Sequence, residues 1–185
     1  MCLFQGFFLT VSVESVHVVG RHLAQHPDKL FSMNLSAPFI CQFFLTQLME
    51  VLPYVDLLFG NDTEALTLSK ELKMETEVIS EIALKLAEQP KKNSTRPRRV
   101  IITQGHLSIV MAYEGKVTEY PVTLIEKSKV VDTNGAGDAF VGGYLSQLIQ
   151  GRSIEECIKC AVHVASTVVQ QSGCTFPAVC TYGDS

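Results

Sequence analysis

Along the chain, hydrophobic positions switch between short continuous runs and helical spacing. Residues 3–9, Leu-Phe-Gln-Gly-Phe-Phe-Leu, form an apolar run of strand length, and residues 12–26 then set Val13, Val16, Val19 and Leu23 on one helix face. Residues 30–35 repeat the strand signal and end in Asn34-Leu35-Ser36-Ala37-Pro38-Phe39, after which residues 39–52 predict a second helix. Residues 55–59 predict a third strand. Gly60-Asn61-Asp62-Thr63-Glu64 then turns into a helix reaching about Leu72, and residues 76–88 carry Val78, Ile79, Ile82 and Leu86 on one face. From Arg99 the pattern changes: residues 99–103 are a β-branched run, and residues 107–113 and 116–124 predict a hairpin around Glu114-Gly115. A short apolar run ends at Val131, and residues 139–150 and 154–170 close the chain as helices, the first stopped at Gly151.

Strands alternating with helices imply right-handed crossovers and an α/β fold, a mostly parallel sheet with helices on both faces. Ligands of such sheets gather at the carboxyl ends of the strands. The pattern delivers four polar segments to that edge: Asn34 to Ser36, Asn61 to Glu64, Thr103 to Gly105, and Asp132 to Asp138. Together they outline a site.

The last of these carries the most chemistry. In Asp132-Thr133-Asn134-Gly135-Ala136-Gly137-Asp138-Ala139-Phe140, the small residues let the backbone turn tightly, so that successive N–H groups and the first turn of the next helix converge on one point. Such a point attracts anions, phosphate above all. An acid inside the same turn is a poor neighbour for a resting phosphate, and its presence suits a second task, taking a proton from a hydroxyl that attacks the phosphate. The plainer alternative is a glycine-rich turn in which the Asp caps a helix. A dinucleotide-binding loop fits worse, because only two glycines are suitably spaced and the acid occupies the turn itself.

This nine-residue string resembles the C-terminal signature of the ribokinase-like family of sugar and nucleoside kinases. Gly6-Phe7-Phe8-Leu9-Thr10-Val11-Ser12, residues 34–39, Leu58-Phe59-Gly60-Asn61, Asn134 and Ser172-Gly173-Cys174-Thr175 are similar to its adenosine kinase branch. The resemblance spans roughly residues 6–177 and implies the C-terminal half of such a kinase, a single α/β unit over residues 1–185 that lacks the N-terminal strands and lid. It implies Asp138 as catalytic base, Gly135, Ala136 and Gly137 as anion hole, and Asn134 near the nucleoside. Phe7, Val11 and Phe39 correspond to apolar walls around the adenine of adenosine, and Thr103 and Gly105 edge the ATP site. Asn61 and Glu64 match an Asn-x-x-Glu motif that acts on Mg²⁺ and phosphate through water. An amide and a carboxylate one helical turn apart suit an ion that keeps most of its waters, and they equally suit a helix cap. Three positions depart from the family pattern: Val13 where proline is usual, His106 where a basic residue is usual, and the tail from Ala178 onward.

Three functional readings follow. The first is a kinase transferring the γ-phosphoryl of MgATP to adenosine. The second is a noncatalytic remnant that binds nucleotide or a partner, and the third is a sugar kinase of the same family, disfavoured by the apolar residues Phe7, Val11 and Phe39. The resemblance implies a monomer for full-length relatives. Exposed strand edges imply self-association for this chain alone, whose opening Met-Cys-Leu-Phe-Gln looks like a replaced start.

Composition narrows the setting. At 185 residues, 46% hydrophobic and mean hydropathy +0.20, the chain can bury a core and is not disordered. A net charge of −4 gives no reason to expect nucleic acid or an anionic membrane as partner. The apolar start lacks a basic flank and meets Glu14 too soon to span a bilayer, which places the expected compartment in the cytosol or nucleus. Cys2, Cys41, Cys157, Cys160, Cys174 and Cys180 have neither disulfide nor zinc spacing and read as reduced structural thiols. Asn93-Ser94-Thr95 is a formal glycosylation sequon, expected to stay unmodified. Lys91, Lys92, Arg96, Arg98 and Arg99 lack interleaved aromatics and read as a solvated loop.

Overall fold

The computed structural model describes residues 1–177 and Tyr182, in two compact units, Met1–Tyr120 and Pro121–Ser185. The first holds a six-stranded sheet in the order β1 (Cys2–Gln5), β2 (Phe31–Asn34), β3 (Leu57–Asn61), β4 (Arg99–Gln104), β5 (Leu107–Tyr113), β6 (Lys116–Tyr120). The first four are parallel and the last two join as antiparallel hairpins. Between the parallel strands run α1 (Val13–Ala24), α2 (Pro38–Phe43) with α3 (Leu45–Val51), and α4 (Asp62–Glu71) with α5 (Ile79–Ala87). This is a ribokinase-like α/β sheet with helices packed on it. All four residues of β2 are buried, so the alternation of its side chains finds cover on both faces, as parallel strands require.

Most elements follow the hydrophobic pattern, and the differences have local causes. Strand β1 stops at Gln5, and residues 6–9, expected to continue it, fall in a 3-10 turn over Gly6–Thr10. At Gly6 the chain presses against β2's exit, where a Cβ would stand 2.4 Å from the Leu35 carbonyl oxygen, and the Thr10 hydroxyl donates back to the Phe7 carbonyl. The helix expected over residues 39–52 breaks at Phe44, whose φ and ψ of −118° and 26° leave helical space. Helix α5 starts only at Ile79, after a segment closed by the Thr76 hydroxyl on Glu81 and by Val78 N on Thr76. The last strand ends at Tyr120 because Pro121 cannot donate to a ladder.

The basic segment before β4 is not a solvated loop. Arg98 is 1% exposed and donates to the carbonyls of Leu52, Val55, Leu86, Gln89 and Pro90, tying the ends of α3 and α5 to the amino edge of the sheet. Burial lowers its guanidinium to about 10, the opposing pull of Asp56 being the smaller effect. Asp56, itself buried, receives Lys91 Nζ at 2.5 Å, Arg96 Nη1 at 3.3 Å and Phe31 N at 2.9 Å. Arg99 stacks its guanidinium 4.4 Å from the Tyr113 ring centroid. Charge density suggested exposure, but five donors in a planar fork can satisfy the carbonyls left over at helix ends. The sequon lies in the same segment, with Asn93 buried and its Oδ1 accepting from Thr95 N and Thr95 Oγ1.

The second unit is a helical hairpin of α6 (Ala136–Leu148) and α7 (Ile154–Val168) preceded by irregular chain. Ser153 opens α7 with a capping box, its hydroxyl accepting from Glu156 N while Glu156 Oε2 accepts from Ser153 N. Cys157 and Cys160 are buried in this helix, and burial pushes the Cys41 thiol of the first unit up to about 12. Cys180 lies outside the described residues. No helix among the described residues is long and apolar enough to cross a membrane.

Candidate active site

In the second unit the signature forms a braced turn. Val131 and Val130 are exposed and belong to no strand. Their position is instead set by α7: Val131 N and Asp132 N both donate to the Val169 carbonyl, at 2.8 and 3.2 Å. The Asp132 carboxylate then spans two segments, one oxygen accepting from Asn134 N at 2.9 Å and the other from Gly173 N at 3.2 Å. Gly135, at φ +77°, turns the chain into α6. A Cβ there would lie 2.6 Å from Cys174 Sγ, so the position needs glycine both for its left-handed backbone and for the thiol packed on it. Ala136 N donates to the Thr133 carbonyl and Ala139 N to the Gly135 carbonyl, which leaves the amides of the first turn directed out of the helix end. Asp138 and Gly137 sit in that first turn, exposed, and Asn134, also exposed, lies just before Gly135. The four signature positions Gly135 to Asp138 are thus contiguous at the positive end of a 13-residue helix.

In the first unit the expected residues line the carboxyl edge of the sheet. The register pairs Gln5 with Asn34 and Asn61 with Thr103. Asn61 and Glu64 form a complete capping box: Glu64 N donates to Asn61 Oδ1 at 2.8 Å, and Asn61 N donates to Glu64 Oε2 at 2.9 Å. Asn61 Nδ2 also reaches Glu64 Oε1, at 3.0 Å, and Glu64 is 4% exposed. Both carboxylate oxygens are engaged, so the pair fits a hydrated ion held through water and not one bound directly. Among the described residues no three His, Cys, Asp or Glu side chains gather as a metal centre. Thr103 sits at an irregularity in the β4–β5 register, its hydroxyl 3.4 Å from the Gly60 carbonyl. Gly105 follows in the tight turn with φ +59° and open space where a Cβ would be.

At the same edge, Phe7 and Phe39 meet with ring centroids 5.9 Å apart. They are 49% and 41% exposed, and Val11 is 74% exposed. The three residues expected as apolar walls are therefore surface groups of this chain and not core. Asn34 and Ser36 were expected at this edge, but the polar contacts by which Gln5, Gly6, Asn34 and Ser36 join β1 to β2's exit were not legible in the residue pattern. That pattern also missed Asp132 and Cys174 as braces of the turn.

Comparison with known proteins agrees with this geometry. Adenosine kinase 2 of Arabidopsis thaliana is 52% identical over 172 residues, covering 93% of this chain and 50% of its own. The adenosine kinase of Schizosaccharomyces pombe is 41% identical over the same shares of 93% and 50%. Anopheles gambiae adenosine kinase, solved in complex with P1,P4-di(adenosine-5) tetraphosphate, superimposes with a TM-score of 0.89 at 46% identity, over 96% of this chain and 53% of that one. Schistosoma mansoni adenosine kinase in complex with 2-fluoroadenosine gives a TM-score of 0.90 at 28% identity, over 95% and 52%. The chain spans about half the length of the curated relatives it matches. With the model of the pfkB family of carbohydrate kinases matching residues 1–179, and a ribokinase-like sheet and signature turn in place, the chain belongs to that family.

Proposed function

We propose that these residues form the catalytic half of an ATP-dependent adenosine kinase, converting ATP and adenosine to ADP and AMP in purine salvage. The observation that carries this reading is the turn at the start of α6, in which a left-handed Gly135 opens the helix end and Asp138 stands exposed one residue beyond Gly137. In the reaction, the Asp138 carboxylate takes the proton of the adenosine 5′-hydroxyl, and that oxygen forms a bond to the γ-phosphorus of ATP. The bond between the γ-phosphorus and the bridging oxygen breaks, and its electron pair leaves with ADP. The turn of Gly135, Ala136 and Gly137, at the positive end of α6, serves as the anion hole for the charge that develops on the phosphoryl oxygens. Glu64, braced by Asn61, would hold a hydrated Mg²⁺ through water, and that ion would offset charge on the phosphates. Thr103 and Gly105 edge the ATP, Asn134 lies beside the nucleoside, and Phe7, Val11 and Phe39 receive its base.

Exposed aromatic side chains favour a flat base over a bare sugar, which is why the sugar-kinase reading ranks lower. A noncatalytic remnant is favoured by one fact, the coverage of half the relatives' length. The test is Asp138→Asn in a chain of the relatives' full length that carries these residues. Turnover should fall by about 10²–10⁴-fold, the usual contribution of a positioned base, with ATP affinity little changed. Near-normal turnover removes Asp138 from the chemistry.

A further inference from the structure

The turn that carries Phe7 and the chain leading into the helix that carries Phe39 are joined by one side chain that the resemblance leaves without a role. Ser36 lies half-buried just past β2 with φ +70°, a backbone region that costs a non-glycine residue energy. That conformation turns its hydroxyl toward β1. Ser36 Oγ accepts from Gly6 N at 2.8 Å, and its proton is directed at Gln5 Oε1, 2.9 Å away, with the Asn34 carbonyl at 3.2 Å. Ser36 N in turn donates to Asn34 Oδ1 at 3.3 Å. Gly6 is the first residue of the 3-10 turn, Phe7 the next, and Val11 follows it directly. Two residues after Ser36, Pro38 starts α2, and Phe39 comes next. The hydroxyl is therefore the polar link between the main chain just before Phe7 and the main chain just before Phe39. The rings it brackets touch each other, Phe39 also meets Phe44 with centroids 6.5 Å apart, and both are two-fifths or more exposed.

We propose that Ser36 is a positioning and specificity-determining residue: by clamping Gly6 to β2's exit it fixes the Phe7–Phe39 wall at the spacing that accepts a flat heteroaromatic base and gives nothing to a bare sugar. This rests on the nucleoside reading of the site. The strained backbone supplies the means of separating position from stability. Ser36→Gly removes the hydroxyl and relieves the left-handed strain, whereas Ser36→Ala removes the hydroxyl and keeps the strain. Their effects on stability should differ, and their effects on the wall should agree.

The experiment is hydrogen–deuterium exchange of the 185-residue chain and both variants, read by mass spectrometry below the concentration at which the chain associates, with adenosine or ribose titrated to millimolar levels. In the unsubstituted chain, adenosine slows exchange in residues 6–12 and ribose does not. In both variants, exchange of residues 6–12 accelerates while β4 and β5 are unchanged, and the adenosine midpoint rises about tenfold, the size expected for one well-placed hydrogen bond. Unchanged exchange in either variant overturns the proposal. So does an unchanged adenosine midpoint, or a midpoint that follows thermal stability so that Ser36→Gly behaves as the unsubstituted chain and Ser36→Ala does not. Absence of any adenosine effect in the unsubstituted chain defeats the nucleoside reading instead, and the exchange of residues 6–12 in the two variants then decides alone whether the hydroxyl holds the turn.

Discussion

Gly135 joins two requirements that a single substitution breaks together. Its φ of +77° is unfavourable for any residue with a Cβ, and Cys174 Sγ occupies the space such an atom would enter. Gly135→Ala should destabilise the chain by about 1–3 kcal/mol in urea denaturation, from backbone strain plus crowding. In a Cys174→Ala background the crowding vanishes and only the strain remains, so the penalty should shrink without disappearing. Equal penalties in both backgrounds show that the thiol does not press on the turn. The glycine was legible from the sequence as part of a tight turn that opens a helix. The thiol's packing on it was not, because Cys174 lies 39 positions away, and the family resemblance of Ser172-Gly173-Cys174-Thr175 does not say what its side chain touches.

Helix α4 opens on a motif with the contacts of a cap and a second, proposed role toward Mg²⁺. The Asn61–Glu64 pair is a capping box by every contact, and the capping role is visible in the sequence as a spacing of three. Glutamine at Glu64 can still accept from Asn61 N, which separates the roles. Glu64→Gln should leave the melting temperature nearly unchanged and, in a full-length chain, raise the Mg²⁺ concentration needed for half-maximal turnover. Glu64→Ala should do the same and also lose about 1 kcal/mol of stability with the cap. A normal metal requirement in Glu64→Gln leaves capping as the whole role of the pair. At the opposite edge of the sheet, Arg98→Leu strands the carbonyls of Leu52, Val55, Leu86, Gln89 and Pro90 and should cost about 3 kcal/mol or more, measured by urea denaturation. Arg98→Lys, with three donors for five acceptors, should recover part of that loss.

Taken over its full length, the chain presents β1 as an outer strand of the sheet among the described residues, beside a surface of Leu3, Phe7, Phe8, Val11, Phe39 and Phe43. Phe43 is 77% exposed. An open strand edge next to apolar side chains is a template for association. Residues 1–185 alone should therefore elute as a mixture of oligomers in size-exclusion chromatography with light scattering, and should form no appreciable AMP from adenosine and ATP. A monodisperse monomer that forms AMP at a rate like that of complete relatives overturns this expectation.

Hydrophobic period and turn chemistry are local properties, and what depends on them was readable from the residues: the succession of strands and helices, the hairpin at Glu114-Gly115, the helix opened at Gly135-Ala136-Gly137, and an acid placed within that turn. Elements were misread where a contact from elsewhere overrode the local pattern. The Leu35 backbone ends β1 at Gly6. Buried helix-end carbonyls draw Arg98 out of solvent, although its neighbours in sequence are a run of cations. Ser36 and Asp132 became braces only when parallel strands and a helix hairpin brought residues 30 and 41 positions apart within hydrogen-bond reach. Local geometry follows from neighbours along the chain, whereas the satisfaction of a buried polar group depends on which distant segment folds against it.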